Sequence, residues 1–180
     1  MHYVFLADGF EEIEALAVVD ILRRAELEVA TVSITNGYDV MGAHGIEVAA
    51  DVMISDIDVE PDDFIVLPGG LPGATNLRAC DKLCSIIKEH FNGGGGVAAI
   101  CAAPFILGEL GILKGLEAIC YPGFESKLEG ATISEKPVVR SGSVITGKGP
   151  GFAIPFALEI VKAQLGDDVA NQIKSGMLVE

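Results

Sequence analysis

Short runs that are apolar throughout alternate along this chain with amphipathic stretches, and that alternation constrains the fold more than any other feature. The apolar runs are Tyr3 to Ala7, Val29 to Ile34, Phe64 to Leu67 and Val97 to Ile100; Glu11 to Ala25 and Lys82 to Phe91 are amphipathic. A strand with one wet face alternates apolar and polar residues. Runs without that alternation suit strands covered on both faces, which means a parallel sheet sandwiched by helices. The expected class is α/β.

The later part is less regular. Glu117 to Tyr121, Pro137 to Arg140 and Val144 to Thr146 read as short strands, followed by a helix from Phe152 to Leu165 with Ile154, Leu158, Val161 and Leu165 as its apolar stripe. Gly166 fits a stop, and Asp167-Asp168 can open a last short helix. Between Gly37 and Ile57, the segment Gly42-Ala43-His44-Gly45 reads as a small hairpin outside the main sheet. With 180 residues, no repeat and no linker, one domain over residues 1–180 is expected.

The net charge of -14, from 12 basic and 26 acidic residues, repels phosphate backbones and anionic lipid. Nucleic-acid and membrane partners are therefore not expected. No apolar run approaches the roughly 20 residues that span a bilayer, and Met1 to Phe5 lacks the basic start of a secretory signal. A cytoplasmic location is the resulting expectation. There the four cysteines, Cys80, Cys84, Cys101 and Cys120, stay reduced; Cys80 and Cys84 lie four apart on one helix face and lack metal or redox spacing.

In open parallel sheets, ligands bind at the carboxyl ends of strands. Three loops meet there: Asp8-Gly9-Phe10, Pro68 to Gly73, and the turn after Ile100. That last turn carries Cys101. An abrupt strand-to-helix turn holds a nucleophile up to solvent and needs tiny residues two positions either side, a need that Ala99 and Ala103 meet. A helix starting just beyond it favours the thiolate. Equally, a cysteine after an apolar strand is often a small core residue.

Glycines at 69 and 70 let backbone N–H groups approach a ligand, and with the Ala102 N–H they can form an oxyanion hole; Pro-Gly-Gly also makes an ordinary tight turn. The histidines are His2, His44 and His90, none of them after Cys101, which weighs against a glutaminase or cysteine protease. Carboxylates offer the other acid-base group. Glu11, Glu12 and Glu14 open the first helix, and Glu14 sits on the stripe continued by Val18, Ile21 and Ala25, where burial would raise its pKa. Periodicity does not choose it alone, because Glu11 aligns with Ala15, Val18 and Leu22.

Four motifs in this order, Glu11-Glu12-Ile13-Glu14, Leu67-Pro68-Gly69-Gly70, Ala98 to Pro104, and Gly149-Pro150-Gly151, resemble the ThiJ/PfpI superfamily, and within it the Parkinson-linked deglycase/glyoxalase III branch. The resemblance runs from Tyr3 to Leu178. It implies a flavodoxin-like three-layer sandwich with a mainly parallel sheet, like that of class I glutamine amidotransferases, and a homodimer. It also implies a reactive cysteine at Cys101, a protonated glutamate at Glu14, and oxyanion-type contacts at Gly69, Gly70 and Ala102.

The implied activity is cofactor-independent and metal-free conversion of 2-oxoaldehydes such as methylglyoxal to hydroxy acids, or removal of early glycation adducts. The alternatives are a redox-sensing stress protein that uses Cys101 oxidation without turnover, and a scaffold that only binds a metabolite. Two positions depart from the pattern. Tyr121 before Pro122 stands where relatives often carry histidine, and His44 stands where they commonly carry an arginine that reaches the partner's site.

Overall fold

The computed structural model describes residues 1–179. Strand β1 (His2–Leu6) leads to helix α1 (Glu12–Arg24), and β2 (Val29–Ser33) follows; the excursion β3 (Asp39–Met41) and β4 (Glu47–Ala49) precedes the short β5 (Val52–Met53). Next come β6 (Phe64–Leu67), α2 (Gly73–Ala79), α3 (Asp81–Asn92), β7 (Gly96–Ile100) and α4 (Pro104–Glu109). The last part holds β8 (Glu117–Ala118), β9 (Thr132–Ile133), β10 (Val138–Ser141), β11 (Val144–Gly147), α5 (Ala153–Leu165) and α6 (Asp167–Gly176).

The main sheet has the order β10-β11-β7-β6-β1-β2-β5. Every neighbouring pair is parallel except β10 with β11, which form an antiparallel hairpin at one edge. The apolar runs thus have the expected cause. In β1, Tyr3 and Phe5 face a core built with Leu77, Leu83, Ile87 and Phe105, while Val4 and Leu6 face one built with Val18, Leu22, Phe156 and Ile160. Helices α2, α3 and α4 cover the first face and α1, α5 and α6 the second, so the fold is the flavodoxin-like three-layer sandwich. Each large side chain buried in this way contributes about 1.5–3 kcal/mol.

Two local expectations need correction. The stripe on α5 is misplaced at its ends: Leu165 is exposed and Ile154 half-buried, while Phe156, Ala157 and Ile160 are buried. This helix packs on α1, α6 and β11 together, which widens and turns its buried arc. Glu117 to Tyr121 does not join the main sheet, because only Glu117 and Ala118 pair, with β9. The next residues cross the strand ends instead: Ile119 N–H donates to Thr146 Oγ1 at 3.0 Å and Tyr121 N–H to the Cys101 carbonyl at 2.7 Å. Helix α2 forms from a glycine-opened sequence that carries no clear helical period.

The hairpin around Gly42 to Gly45 forms as expected and is folded against the site. Gly9 N–H donates to the Met41 carbonyl at 2.7 Å, and Ala43 N–H to the Phe10 carbonyl at 2.8 Å.

Candidate active site

Cys101 occupies the left-handed region, with φ of 64°. For a residue with a Cβ that conformation costs on the order of 1 kcal/mol or more and persists only where the surroundings impose it. Here they do. Its N–H donates to the Gly147 carbonyl at 2.9 Å, and its own carbonyl receives the Tyr121 N–H. Ala99 and Ala103 are fully buried on either side, so the elbow is held from the ends of β7 and β11 and from the crossing segment.

The turn Cys101 to Ala103 delays α4 until Pro104, and that helix is only six residues long. The expected lowering of the thiol pKa by a helix start is not what the site produces. Burial, then the negative charge and hydrogen bonding of Glu14, push the Cys101 thiol up to about 12, against the smaller downward pull of the Ala102 and Gly70 N–H groups.

Glu14 is fully buried in the first turn of α1. Its Oε2 accepts the Gly69 N–H at 2.7 Å, and its Oε1 has no hydrogen-bond partner among the described residues. Burial raises its pKa to about 7, although the Gly69 N–H and the Cys101 thiol both favour the carboxylate. Thiol and carboxyl are neighbours in a dry site, where two negative charges oppose each other strongly. Ionising either one therefore opposes ionising the other. A protonated Glu14 carboxyl is a donor to a thiolate, which also receives the Gly70 and Ala102 amides.

The glycine loop makes this approach possible. A Cβ on Gly69 would lie 2.6 Å from the Cys101 Cβ and 2.8 Å from Glu14 Oε2. Gly70, with φ of 86°, would collide with the Gly9 carbonyl oxygen if it carried one. Of the three amides assigned to an oxyanion hole, that of Gly69 is engaged by Glu14, whereas those of Gly70 and Ala102 face the sulfur.

Glu11 and Glu12 part company with Glu14. Glu11 precedes α1, and its N–H donates to the Gly69 carbonyl at 3.0 Å. Glu12 accepts from His44 twice, at 2.7 Å from the backbone N–H and 2.8 Å from Nδ1, with Glu11 Oε2 at 3.6 Å from the same ring nitrogen. His44 is thus paired within its own chain. Its pKa is raised by the Glu12 hydrogen bond, and that of Glu12 is lowered by it despite burial. Ligating atoms of Glu11, Glu12 and His44 lie within 4.8 Å of one another, the one such grouping among the described residues, and they satisfy each other.

Tyr121 is exposed beside the elbow, next to the exposed Pro122, and its ring lies over Gly149. His2 and His90 are buried far from the site, on the Phe64 N–H and the Asp63 carbonyl respectively. Cys80, Cys84 and Cys120 are also free thiols; burial raises the pKa of Cys84, and that of Cys120 to about 11. Gly147, the acceptor for the Cys101 N–H, was not visible in the sequence, because a backbone acceptor depends on strand register alone.

No helix among the described residues is long and apolar enough to cross a membrane. Residues 2–163 match the DJ-1/PfpI family. The chain is 40% identical to Arabidopsis thaliana DJ-1 homolog B over 97% of its own length and 40% of that relative, so it spans less than half of the plant protein. It is 34% identical to the Danio rerio Parkinson disease protein 7 homolog, over 98% of this chain and 96% of the fish protein. The solved structure of oxidized Toxoplasma gondii DJ-1 superposes with a TM-score of 0.93 at 35% identity, covering 98% of this chain and 96% of that one. Matched over residues 2–163 and similar along nearly its whole length to these relatives, this protein belongs to the DJ-1/PfpI family.

Proposed function

We propose that this protein is a cofactor-independent cysteine enzyme acting on 2-oxoaldehydes such as methylglyoxal, giving the 2-hydroxy acid. The observation that carries this reading is the fully buried Glu14, with a pKa near 7, beside a thiol at a left-handed elbow. The Cys101 sulfur adds to the aldehyde carbon while the thiol proton, relayed through Glu14, goes to the aldehyde oxygen, giving a hemithioacetal. Glu14 then takes the proton from that carbon and returns it to the neighbouring carbon, while the hemithioacetal hydroxyl proton passes to the ketone oxygen, leaving the thioester of a 2-hydroxy acid. Water cleaves the thioester, releasing the hydroxy acid and restoring the thiol. The Gly70 and Ala102 amides stabilise the oxygen on which charge develops. A pKa near the working pH suits a group that must both accept and donate.

The test is lactate formation from methylglyoxal without glutathione, comparing wild type with Cys101→Ser. Turnover in wild type that the variant loses is the expected result; no turnover in either protein removes the enzyme reading. In that case the same site supports a redox sensor, in which a Cys101 sulfinate accepts from protonated Glu14 and the two amides. That the similar Toxoplasma structure is of an oxidized protein favours this second reading. Peroxide should then add two oxygens at Cys101 before any other thiol.

The working unit is a homodimer. Ile13, Leu16 and Ile46 are exposed, and Ile13 and Ile46 share a hollow of about 480 Å³ with Glu11, Glu12, His44 and Pro150. The free thiols suit a reducing compartment such as the cytoplasm.

A further inference from the structure

Beside the Cys101 elbow lies a hollow of about 250 Å³ whose walls include Tyr121, Pro122, Lys148, Gly149 and Phe152. It is tied to the Cys101 backbone: Tyr121 N–H donates to the Cys101 carbonyl, and Lys148 directly follows Gly147, which accepts the Cys101 N–H. Tyr121 and Phe152 remain 47% and 37% exposed, which leaves aromatic surface uncovered at the entrance. Gly149 opens the space against the Tyr121 ring, since a Cβ there would lie 3.3 Å from it.

Lys148 is the charged group of this hollow. It is half-buried and has no carboxylate within 4 Å among the described residues, in a chain whose net charge is -14. The basic residues that do form ion pairs with side chains, Arg23, Arg24, Arg78, Lys127 and Lys162, all lie elsewhere. An ammonium without a carboxylate partner is left free to pair with an anion.

Resting on the proposed aldehyde chemistry, we propose that the preferred substrates are 2-oxoaldehydes that carry a flat apolar body and a carboxylate, the body lying against Tyr121 and Phe152 and the carboxylate pairing with Lys148. Methylglyoxal would fill only the part of the site next to Cys101. The chain repels anions over most of its surface, so a preference for an anionic substrate must be local, and Lys148 is its source.

The test uses alkylation of Cys101, which needs a reactive thiol but no turnover. Phenacyl bromide and its 4-carboxy derivative have the same reactive carbon and differ in charge. In wild type the carboxylated reagent should modify Cys101 about 10-fold faster than the neutral one, equivalent to about 1.4 kcal/mol. Lys148→Met should bring that ratio to one or below, and Lys148→Arg should keep it. Equal melting temperatures for the three proteins exclude a folding defect. A carboxylated reagent that reacts no faster in wild type, or a preference that survives Lys148→Met, overturns the proposal. The same ratio read from kcat/KM for phenylglyoxal and 4-carboxyphenylglyoxal extends it to turnover. An enzyme reading that fails on methylglyoxal leaves the alkylation result standing by itself.

Discussion

Glu14 Oε2 accepts the Gly69 N–H at 2.7 Å, a bond that sets it apart from the neighbouring Glu11 and Glu12. It aims one oxygen at the glycine loop and leaves Oε1 without a hydrogen-bond partner among the described residues. Glu14→Gln keeps an acceptor for Gly69 and a donor for the sulfur while removing the titrating proton. Turnover should fall by about 100- to 10,000-fold, the usual weight of general acid-base catalysis. A variant with wild-type lactate formation would remove the proton-transfer role.

The same carboxyl makes stability depend on pH. Its pKa rises from 4.5 to about 7 on folding, so between those values the native state binds a proton that the unfolded chain has lost. Stability from this group is full below pH 4.5 and falls as pH rises towards 7, by about 3 kcal/mol in all. Urea unfolding across that range should show the decline in wild type and its loss in Glu14→Gln, which should be the more stable protein at pH 8.

Gly69→Ala should be damaging although it adds one methyl group. The new Cβ would meet the Cys101 Cβ and Glu14 Oε2 at 2.6 and 2.8 Å, both attached to buried backbone that cannot retreat freely. Overpacking of this kind costs about 1–3 kcal/mol, and a displacement of about 1 Å between reacting groups costs about 100-fold in rate. Chemical unfolding and lactate formation measure the two effects separately.

The Glu12 and His44 pair should hold the hairpin of β3 and β4 against α1 within a window of pH. The raised His44 pKa gives stabilisation that is full below 6.5 and lost as pH rises through the folded value; the lowered Glu12 pKa gives stabilisation that is full above 4.5 and lost as pH falls through its folded value. Amide exchange of residues 39–49, corrected for intrinsic rates, should be slowest between these limits. His44→Ala should speed it there and flatten its pH profile.

Ile13→Glu should give a monomer if the exposed Ile13, Leu16 and Ile46 form the homodimer contact. Analytical ultracentrifugation at micromolar concentration should find the wild type at twice the monomer mass. A monomeric wild type would leave these side chains without that role.

The sequence by itself determined the α/β class, because strands buried on both faces must be apolar throughout and only a parallel sheet between helices supplies two such faces. It also marked Cys101, through the small residues a strand-to-helix turn requires, and the glycine pair that lets a backbone approach the sulfur. Its periodicity did not choose Glu14 alone, since Glu11 also aligns with apolar positions of α1, and it was the family resemblance that singled Glu14 out. Tertiary structure supplies the physical difference, by bringing the Gly69 N–H to the Glu14 carboxyl and burying it. The reversal in the thiol pKa belongs to the same level: a local helix start favours a thiolate, but burial and a neighbouring carboxylate outweigh it, and neither is written in the residues around Cys101. The Gly147 carbonyl that pins the elbow and the placement of Lys148 beside Tyr121 likewise follow from β11 lying next to β7, a pairing between segments more than forty residues apart. Residue types and their spacing specify local geometry; which groups share a dry pocket depends on contacts that exist only once the chain has closed.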